Sequence, residues 1–330
     1  MATRPVTLCT CQWADIPFDE LCVLAAQMGY DGLEIACWGN GIDLDKAYED
    51  DGYVQYLLDT LKKNNLICRA LATHIIGQCV GDAPDSRLNN FAPSALADQS
   101  EAIRAWGIET MKKSAVVARK MGCSVVTGFT GSPIWKWMYS FPQTTEKMVE
   151  DGFDEIVRLW VPILEEFRKN GVKFALEVHP GEIAFDYYST QKLLRKFSDW
   201  PEFGLNFDPS HLIWQGIEPH LFLMDFMDRV YHVHMKDAAV TLDGRSGLLG
   251  SHIDFGDLRR GWNFRSLGHG DVNFEEIIRV LNAGGYDGPL SVEWEDSGMD
   301  RIDGATEAAA FVRKVDFKPS NVKFDDAIAN

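Results

Sequence analysis

The sequence is poor in positive charge. Its 330 residues hold 32 lysines and arginines against 49 aspartates and glutamates, which gives a formal net charge of −17 at pH 7. A surface of this sign repels phosphate backbones and anionic lipid headgroups. We therefore expect neither nucleic acid nor a membrane as a partner, whereas a neutral small molecule and a divalent cation are compatible with this charge.

Long hydrophobic runs and paired cysteine motifs are also missing. No stretch approaches the roughly 18 apolar residues of a transmembrane helix, and the first residues contain no apolar secretory segment. The seven cysteines are odd in number and form no Cys-x-x-Cys pair, which is typical of a reducing compartment rather than of a disulfide scaffold. We therefore expect a cytoplasmic protein.

The sequence also lacks the motif that marks a dinucleotide-binding fold. No Gly-x-Gly-x-x-Gly motif follows the first apolar run, which argues against a doubly wound dinucleotide-binding sheet. What is present is a series of eight nearly continuous apolar runs, as in parallel strands covered on both faces. They lie at residues 6–12, 32–38, 66–73, 123–129, 173–178, 203–207, 230–235 and 289–294. Alternating with helical patterns, they predict an α/β fold, a (β/α)8 TIM barrel.

The composition shows no linker, so residues 1–330 are predicted to form a single domain, with a barrel core at about 6–316 and a polar C-terminal tail at 317–330. Two long βα loops are expected at 77–99 and 238–270. Helical spacing and caps predict helices at 18–28, 52–63, 99–120, 146–170, 190–197, 218–227, 273–283 and 304–315. Asn273 and Glu276 have the spacing of a capping box.

Four neighbouring strands end in an acid or a histidine, namely Glu177, Asp208, His234 and Glu293. Each residue alone is more often a helix cap or a structural contact than a site residue. In a TIM barrel, however, the C-terminal strand ends share one rim, so the four are expected to meet. Three carboxylates and one imidazole favour one divalent metal ion, Mn²⁺ or Mg²⁺, with Co²⁺ or Zn²⁺ as alternatives. Without it, the carboxylates would repel one another.

Five motifs in this order resemble the xylose-isomerase-like TIM barrel superfamily, nearest in style to its sugar phosphate isomerase and epimerase-type proteins. They are Leu176-Glu177-Val178-His179-Pro180, Phe207-Asp208-Pro209-Ser210-His211, His232-Val233-His234-Met235-Lys236-Asp237, Gly268-His269-Gly270 before a helix, and Val292-Glu293-Trp294-Glu295. The resemblance covers about residues 7–315. It implies that Glu177, Asp208, His234 and Glu293 bind one metal ion, and that Glu177 and Glu293 are also the catalytic acid and base.

The same resemblance implies a set of substrate-binding residues. His211 matches the family's substrate-binding histidine, and His74 and His179 are expected to donate or accept hydrogen bonds at the mouth. Trp38 follows a strand, where an aromatic face suits the C–H face of a sugar. Ketohexose epimerases carry an arginine shortly after the seventh-strand histidine. Here that region holds none, and Arg245 is expected to substitute, with Arg260 and Arg265 as alternatives.

Glu34 in the second strand is similar to the family's acid at that point, and a buried partner for a basic side chain is an equal explanation. Gly268-His269-Gly270 precedes the helix after Asn273, but a phosphorylated substrate does not follow from it. A barrel endonuclease of the endonuclease IV type needs a fourth-strand histidine. This chain has Gly128-Phe129-Thr130 there, and its acidic charge also argues against a nuclease.

The function implied by the resemblance is a metal-dependent isomerase or epimerase of a keto or aldo sugar, working by proton abstraction next to a metal-bound carbonyl. The alternative is a lyase on the same scaffold, similar to inosose dehydratases or to the catalytic subunit of C-glycoside deglycosidases, which cleave 3-keto-glycosides. The two long loops suit such a larger substrate. The third hypothesis is a non-catalytic sugar-binding barrel or an assembly subunit. A homo-oligomer is expected, and a second, smaller subunit stays open.

Overall fold

The first and last strands of the chain pair with each other and close a barrel. The computed structural model describes residues 4–322 and 325–328. β1 (Val6–Cys9) runs parallel to β10 (Leu290–Val292), with Val6 opposite Leu290. The other barrel strands are β2 (Gly32–Ala36), β3 (Ile67–Ala72), β4 (Val125–Gly128), β5 (Lys173–Glu177), β6 (Phe203–Phe207) and β7 (Val230–Met235), in consecutive order around the barrel. The predicted (β/α)8 TIM barrel fold is confirmed.

Helices surround this barrel and connect its strands. They are α1 (Phe18–Gln27), α2 (Leu44–Glu49), α3 (Asp51–Lys63), α4 (His74–Gly81), α5 (Ser100–Met121), α6 (Glu146–Asn170), α7 (Tyr187–Lys196), α8 (Ser210–Ile213), α9 (Pro219–Phe226), α10 (Phe274–Ala283) and α11 (Arg301–Val315). The Asn273 side chain accepts a hydrogen bond from the Glu276 backbone, which is one half of the predicted capping box. No helix among the described residues is both long and apolar enough to cross a bilayer.

The helix α4 occupies the start of the predicted long loop at 77–99. Two glycines within its eight residues lower its helix propensity, which is why the sequence pattern did not indicate it. Gly77 is required by packing, because a Cβ atom there would lie 2.0 Å from the carbonyl oxygen of Phe129. The bare backbone lets α4 lie directly against the chain that leaves β4, and it brings His74 to the barrel rim.

The second long loop contains a hairpin. β8 (Asp237–Val240) and β9 (Trp262–Arg265) pair antiparallel in a sheet of their own, with Ala238 opposite Phe264. The sequence pattern predicted irregular chain over 238–270, and the structure corrects this prediction for the two strands. We call residues 237–265 the hairpin arm. The arm follows β7 directly and lies at the rim where the barrel strands end.

The main core lies between the barrel and its helices. Trp160 of α6 packs on Phe174 of β5 with ring centroids 4.4 Å apart, and Phe167 and Phe203 contact the same ring. All four side chains are buried. The seven cysteines are free thiols, as expected from the absence of paired motifs. The predicted tail at 317–330 falls partly outside the described residues, as do residues 1–3.

Candidate metal and sugar site

The four predicted ligands come together at the C-terminal rim of the barrel. Glu177 ends β5, Asp208 follows β6, His234 lies near the end of β7, and Glu293 follows β10. Each side chain offers a donor atom, and these four atoms all lie within 4.8 Å of one another. All four residues are buried. Their proximity was the structural part of the prediction; their role as ligands stays a prediction.

The orientation of these side chains suits a cation. Ser210 donates hydrogen bonds from its backbone and hydroxyl to Oδ1 of Asp208, at 2.8 and 2.7 Å. Oδ2 of Asp208 is buried and has no hydrogen-bond partner among the described residues. Nδ1 of His234 lies 3.0 Å from Oε2 of Glu293 and 3.2 Å from Oε2 of Glu177. Buried carboxylate oxygens that converge with a ring nitrogen, one of them without a hydrogen-bond partner, are a donor set that fits one divalent cation.

Behind His234, the barrel interior holds a buried carboxylate, Glu34. It accepts hydrogen bonds from the hydroxyls of Thr127 and Ser291, at 2.5 and 2.6 Å. Nε2 of His232 lies 2.9 Å from its Oε2 atom. Burial opposes ionisation, but the adjacent His234 and His232 hold the pKa of Glu34 well below its usual range. The sequence left this residue between two roles, and the structure places it directly against His234.

Three of the predicted substrate residues surround Glu177. Nε2 of His74 lies 3.0 Å from one Glu177 oxygen, and Nε2 of His211 lies 3.1 Å from the other. The ring of His179 lies 4.1 Å from that of His211. Burial, together with His211, lowers the pKa of His179 to about 3, so its ring is neutral. Trp38 contacts His74 edge-on at 6.3 Å.

Lys236 is a residue of this site to which sequence reasoning assigned no role. Its Nζ atom lies 3.0 Å from Oε2 of Glu293 and 3.0 Å from Oε2 of Glu295, and its side chain is buried. Gln12 donates hydrogen bonds to the same two acids, at 2.9 and 2.6 Å. A signal for Lys236 was available, because it stands two residues after His234, directly beyond the last residue of β7, and residues two apart on an extended chain point to the same side.

Two thiols also adjoin the site. Sγ of Cys9 and Sγ of Cys11 lie 3.2 Å apart, and Sγ of Cys11 lies 3.8 Å from Nδ1 of His74. Burial raises the pKa of Cys11 to about 12, so it is a neutral thiol at physiological pH.

A cavity of about 1220 Å³ opens onto this site. Its polar wall contains His74, Glu177, His179, His211, Lys236 and Glu293, and Trp38 also lines it. Arg245 does not lie in the lining of this cavity. Its side chain is 89% exposed and its guanidinium lies 3.5 Å from Asp243, because the tip of the hairpin arm turns toward solvent. The arginine of the arm that lines the cavity is Arg260.

Comparison with known proteins identifies the family to which this chain belongs. The profile of the xylose isomerase-like TIM barrel family matches residues 22–315. This chain belongs to that family, as the motifs predicted.

Three individual proteins are similar to this chain at less than 30% identity. The chain is 26% identical over 298 residues to the uncharacterized protein YfiH of Bacillus subtilis (strain 168), an alignment that covers 86% of this chain and 90% of that protein. It is 27% identical over 188 residues to an inosose dehydratase of Clostridium beijerinckii, covering 57% of this chain and only 59% of that enzyme. Among solved structures, the 3-keto-D-glucoside 4-epimerase YcjR from E. coli superimposes with a TM-score of 0.67. That match has 14% identity and covers 94% of this chain and 99% of the epimerase, which shows a shared fold.

Proposed function

We propose that this protein is a divalent-metal-dependent isomerase or epimerase of a keto or aldo sugar. The observation that carries the proposal is the convergence of four buried donor atoms, from Glu177, Asp208, His234 and Glu293, within 4.8 Å at the wall of a large cavity. Membership of the xylose isomerase-like family and the fold shared with an epimerase named for a keto-sugar substrate support it.

The four residues would hold one cation, and Mn²⁺ is the ion we expect. A divalent cation next to a sugar carbonyl supplies positive charge that makes the neighbouring C–H bond more acidic. The four neighbouring strands that carry these side chains fix them on a rigid frame, so the cation site needs little reorganisation on substrate binding.

Glu177 and Glu293 are the proposed acid and base. One oxygen of Glu177 is oriented by His74 at 3.0 Å and by the amide of Asn206 at 3.3 Å. One oxygen of Glu293 is oriented by Gln12 at 2.9 Å. One carboxylate removes the proton from the carbon next to the carbonyl. Return of a proton to the opposite face gives an epimer, and return to the neighbouring carbon gives an isomer.

Lys236 and His211 complete the polar wall. The Lys236 ammonium lies against Glu293 and lines the cavity, so it can donate to a substrate oxygen that gains negative charge during proton removal. His211 is buried, with Nε2 at 3.1 Å from a Glu177 oxygen, and its Nδ1 atom has no hydrogen-bond partner among the described residues. A sugar hydroxyl is a natural partner for Nδ1.

The unpartnered Nδ1 atom of His211 also favours a second candidate, a lyase that acts on a keto-sugar or 3-keto-glycoside. The first step, proton removal beside a carbonyl, is the same. The intermediate then expels a hydroxyl or an alkoxide from the adjacent carbon, and a histidine in this position would protonate the leaving oxygen. The similarity to an inosose dehydratase supports this candidate. The products distinguish the two reactions.

The test combines metal content with proton exchange. The purified protein is analysed for bound metal and then incubated with keto-sugars in D₂O. We expect one equivalent of Mn²⁺ or a similar ion, and deuterium at the carbon next to the carbonyl in the recovered sugar or its isomer. Release of water or of an aglycone would instead assign the lyase reaction.

Variants at the site make the test specific. Glu177→Gln and Asp208→Asn should lose bound metal and exchange together, whereas Glu165→Gln, an exposed acid of α6, should behave as the unmodified protein. Metal retained undiminished in both Glu177→Gln and Asp208→Asn would show that the four strand ends are not the site. Metal bound without any exchange or product would favour a binding protein.

A further inference from the structure

The cavity extends well beyond the polar wall that the proposed reaction uses. Pockets that enclose drug-sized ligands measure roughly 300–1,000 Å³, whereas this cavity measures about 1220 Å³. A single sugar ring next to Glu177 and Glu293 would leave much of it unfilled. The remaining lining is rich in aromatic side chains, which include Trp135, Phe185, Trp214, Phe255, Trp262 and Phe264.

One aromatic series leads from the site to the mouth of the cavity. The ring of Phe264 lies 5.5 Å from the ring of His211. Nζ of Lys236 lies 4.4 Å from the centroid of the same Phe264 ring. Phe255 stacks on Phe264 with centroids 5.0 Å apart and planes at 22°. Phe255 is 51% exposed, so the series begins at the buried polar wall and ends at solvent. A ligand bound at the wall would extend along this face.

A second aromatic pair adjoins that series. The ring of Trp262 lies 5.3 Å from Phe264, and Trp214 stacks on Trp262 with centroids 4.6 Å apart and planes at 1°. Nε1 of Trp262 donates to the carbonyl of Leu248 at 2.9 Å. Nε1 of Trp214, in contrast, is buried and has no acceptor among the described residues. Trp214 and Trp262 both line the cavity.

Arg260 holds this face in place. Its guanidinium lies 4.0 Å from the Phe255 ring centroid and 5.0 Å from that of Trp262. It donates a hydrogen bond of 2.6 Å to the carbonyl of Ile253, and it is buried. The aromatic face is therefore built into the arm. If the rings served only to pack the arm, Phe255 would be expected to be buried rather than half exposed.

We propose that this aromatic face of the hairpin arm, with Trp214, is a subsite for a planar apolar group attached to the sugar. The substrate is then a glycoside with an aromatic aglycone, whose sugar ring lies against the polar wall. This inference rests on the proposed function for the sugar half only. The flat rings suit stacking on an aryl group.

The test compares two keto-glucosides that differ only in their aglycone, phenyl against methyl, on the Mn²⁺-loaded full-length protein. Binding is measured by calorimetry. We expect the phenyl compound to bind at least ten times more tightly. Trp214→Leu and Phe255→Leu should each reduce this ratio to about two or less. Trp137→Leu is the matched control, since Trp137 is partly exposed and lies outside the cavity lining; it should keep the tenfold ratio.

Deuterium exchange of the two compounds, run in parallel, separates this inference from the proposed reaction. Exchange with equal binding of phenyl and methyl compounds would overturn the aglycone subsite and leave the reaction standing. A binding ratio that both leucine variants abolish, without any exchange, would support the subsite and overturn the reaction. Equal loss of the ratio in Trp137→Leu would overturn the subsite, and unchanged circular dichroism of all three variants guards against misfolding.

Discussion

Nε2 of His234 lies 3.0 Å from Oε2 and 3.2 Å from Oε1 of Glu34, while Nδ1 of the same ring faces the carboxylates of the site. The carboxylate favours the tautomer that carries its proton on Nε2, which leaves the lone pair of Nδ1 directed at the position proposed for the cation. In the proposed metal site, Glu34 is therefore a positioning residue that acts through His234.

Replacing Glu34 by glutamine should weaken metal binding. The amide carries no charge, so it makes the His234 ring less basic and orients it less firmly. Losses of this kind are about 10- to 100-fold in metal affinity. Calorimetric titration with Mn²⁺ measures the change, and Glu165→Gln, which removes an exposed acid, should leave the affinity unaltered. Wild-type affinity in Glu34→Gln would contradict the positioning role.

Lys236→Met should destabilise the protein, because it leaves Glu293 and Glu295 without the ammonium that both contact at 3.0 Å. Removing one partner of a buried charge pair costs about 3–5 kcal/mol, and we expect about 3 because Glu295 is partly exposed. Urea unfolding of the metal-free protein measures this. In Lys147→Met, the lost pair with Asp151 is exposed on both sides, so less than about 1 kcal/mol should be lost. Equal losses in the two variants would be inconsistent with the burial of Lys236.

Phe174→Ala tests the packing of α6 on the barrel. Phe174 is buried against Trp160, Phe167 and Phe203, and truncating such a ring costs about 3–5 kcal/mol. The free energy of unfolding, from urea denaturation, should fall by this amount. Phe141→Ala removes the same ring from a position that is 96% exposed, and a loss above about 0.5 kcal/mol there would be unexpected.

Glu182 predicts a pH dependence of stability. Burial and the nearby Asp82 raise its pKa from the ordinary 4.5 to about 8, while its Oε2 atom accepts from the backbones of Thr130 and Gly131, each at 2.7 Å. Between these two pH values the folded protein binds a proton that the unfolded chain has released, so stability falls as pH rises.

Glu182→Gln removes this proton uptake and keeps an acceptor oxygen. Relative to the variant, the wild-type free energy of unfolding should decrease between pH 5 and 8 by up to about 1.4 kcal/mol per pH unit. Urea denaturation of both proteins across this range gives the difference. Parallel curves would mean that Glu182 is already ionised at pH 5.

The barrel and its four converging side chains were predictable because both depend on periodicity and chain order. Glu177 and Asp208 follow apolar runs, and any closed parallel barrel brings the ends of such runs to one rim. The prediction needed only the order of the strands and not the distances between the side chains. Lys236 had a signal in its spacing from His234, but its contacts with Glu293 and Glu295 emerged only from the structure.

Elements whose form depends on tertiary contacts were not predictable. α4 is rich in glycine and forms because Gly77 can touch the backbone at Phe129. The strands of the hairpin arm have only four residues each, too few for a periodic signal. For the same reason the sequence did not indicate which arginine of the arm lines the cavity. Arg245 lies at a turn held by Asp243, and which arginine of the arm reaches the cavity is decided by how the arm folds back.

The hairpin arm forms its own two-stranded sheet, separate from the ladder of the barrel. This separation of the two sheets affects how the protein can evolve. Mutations, insertions or exchange of this arm can alter what the mouth accepts without disturbing the strand register that aligns Glu177, Asp208 and Glu293. Under the proposed function, the reacting groups and the arm that contacts the ligand therefore lie in separable parts of the chain. Grafting a different arm onto this barrel is the experiment that tests this separation.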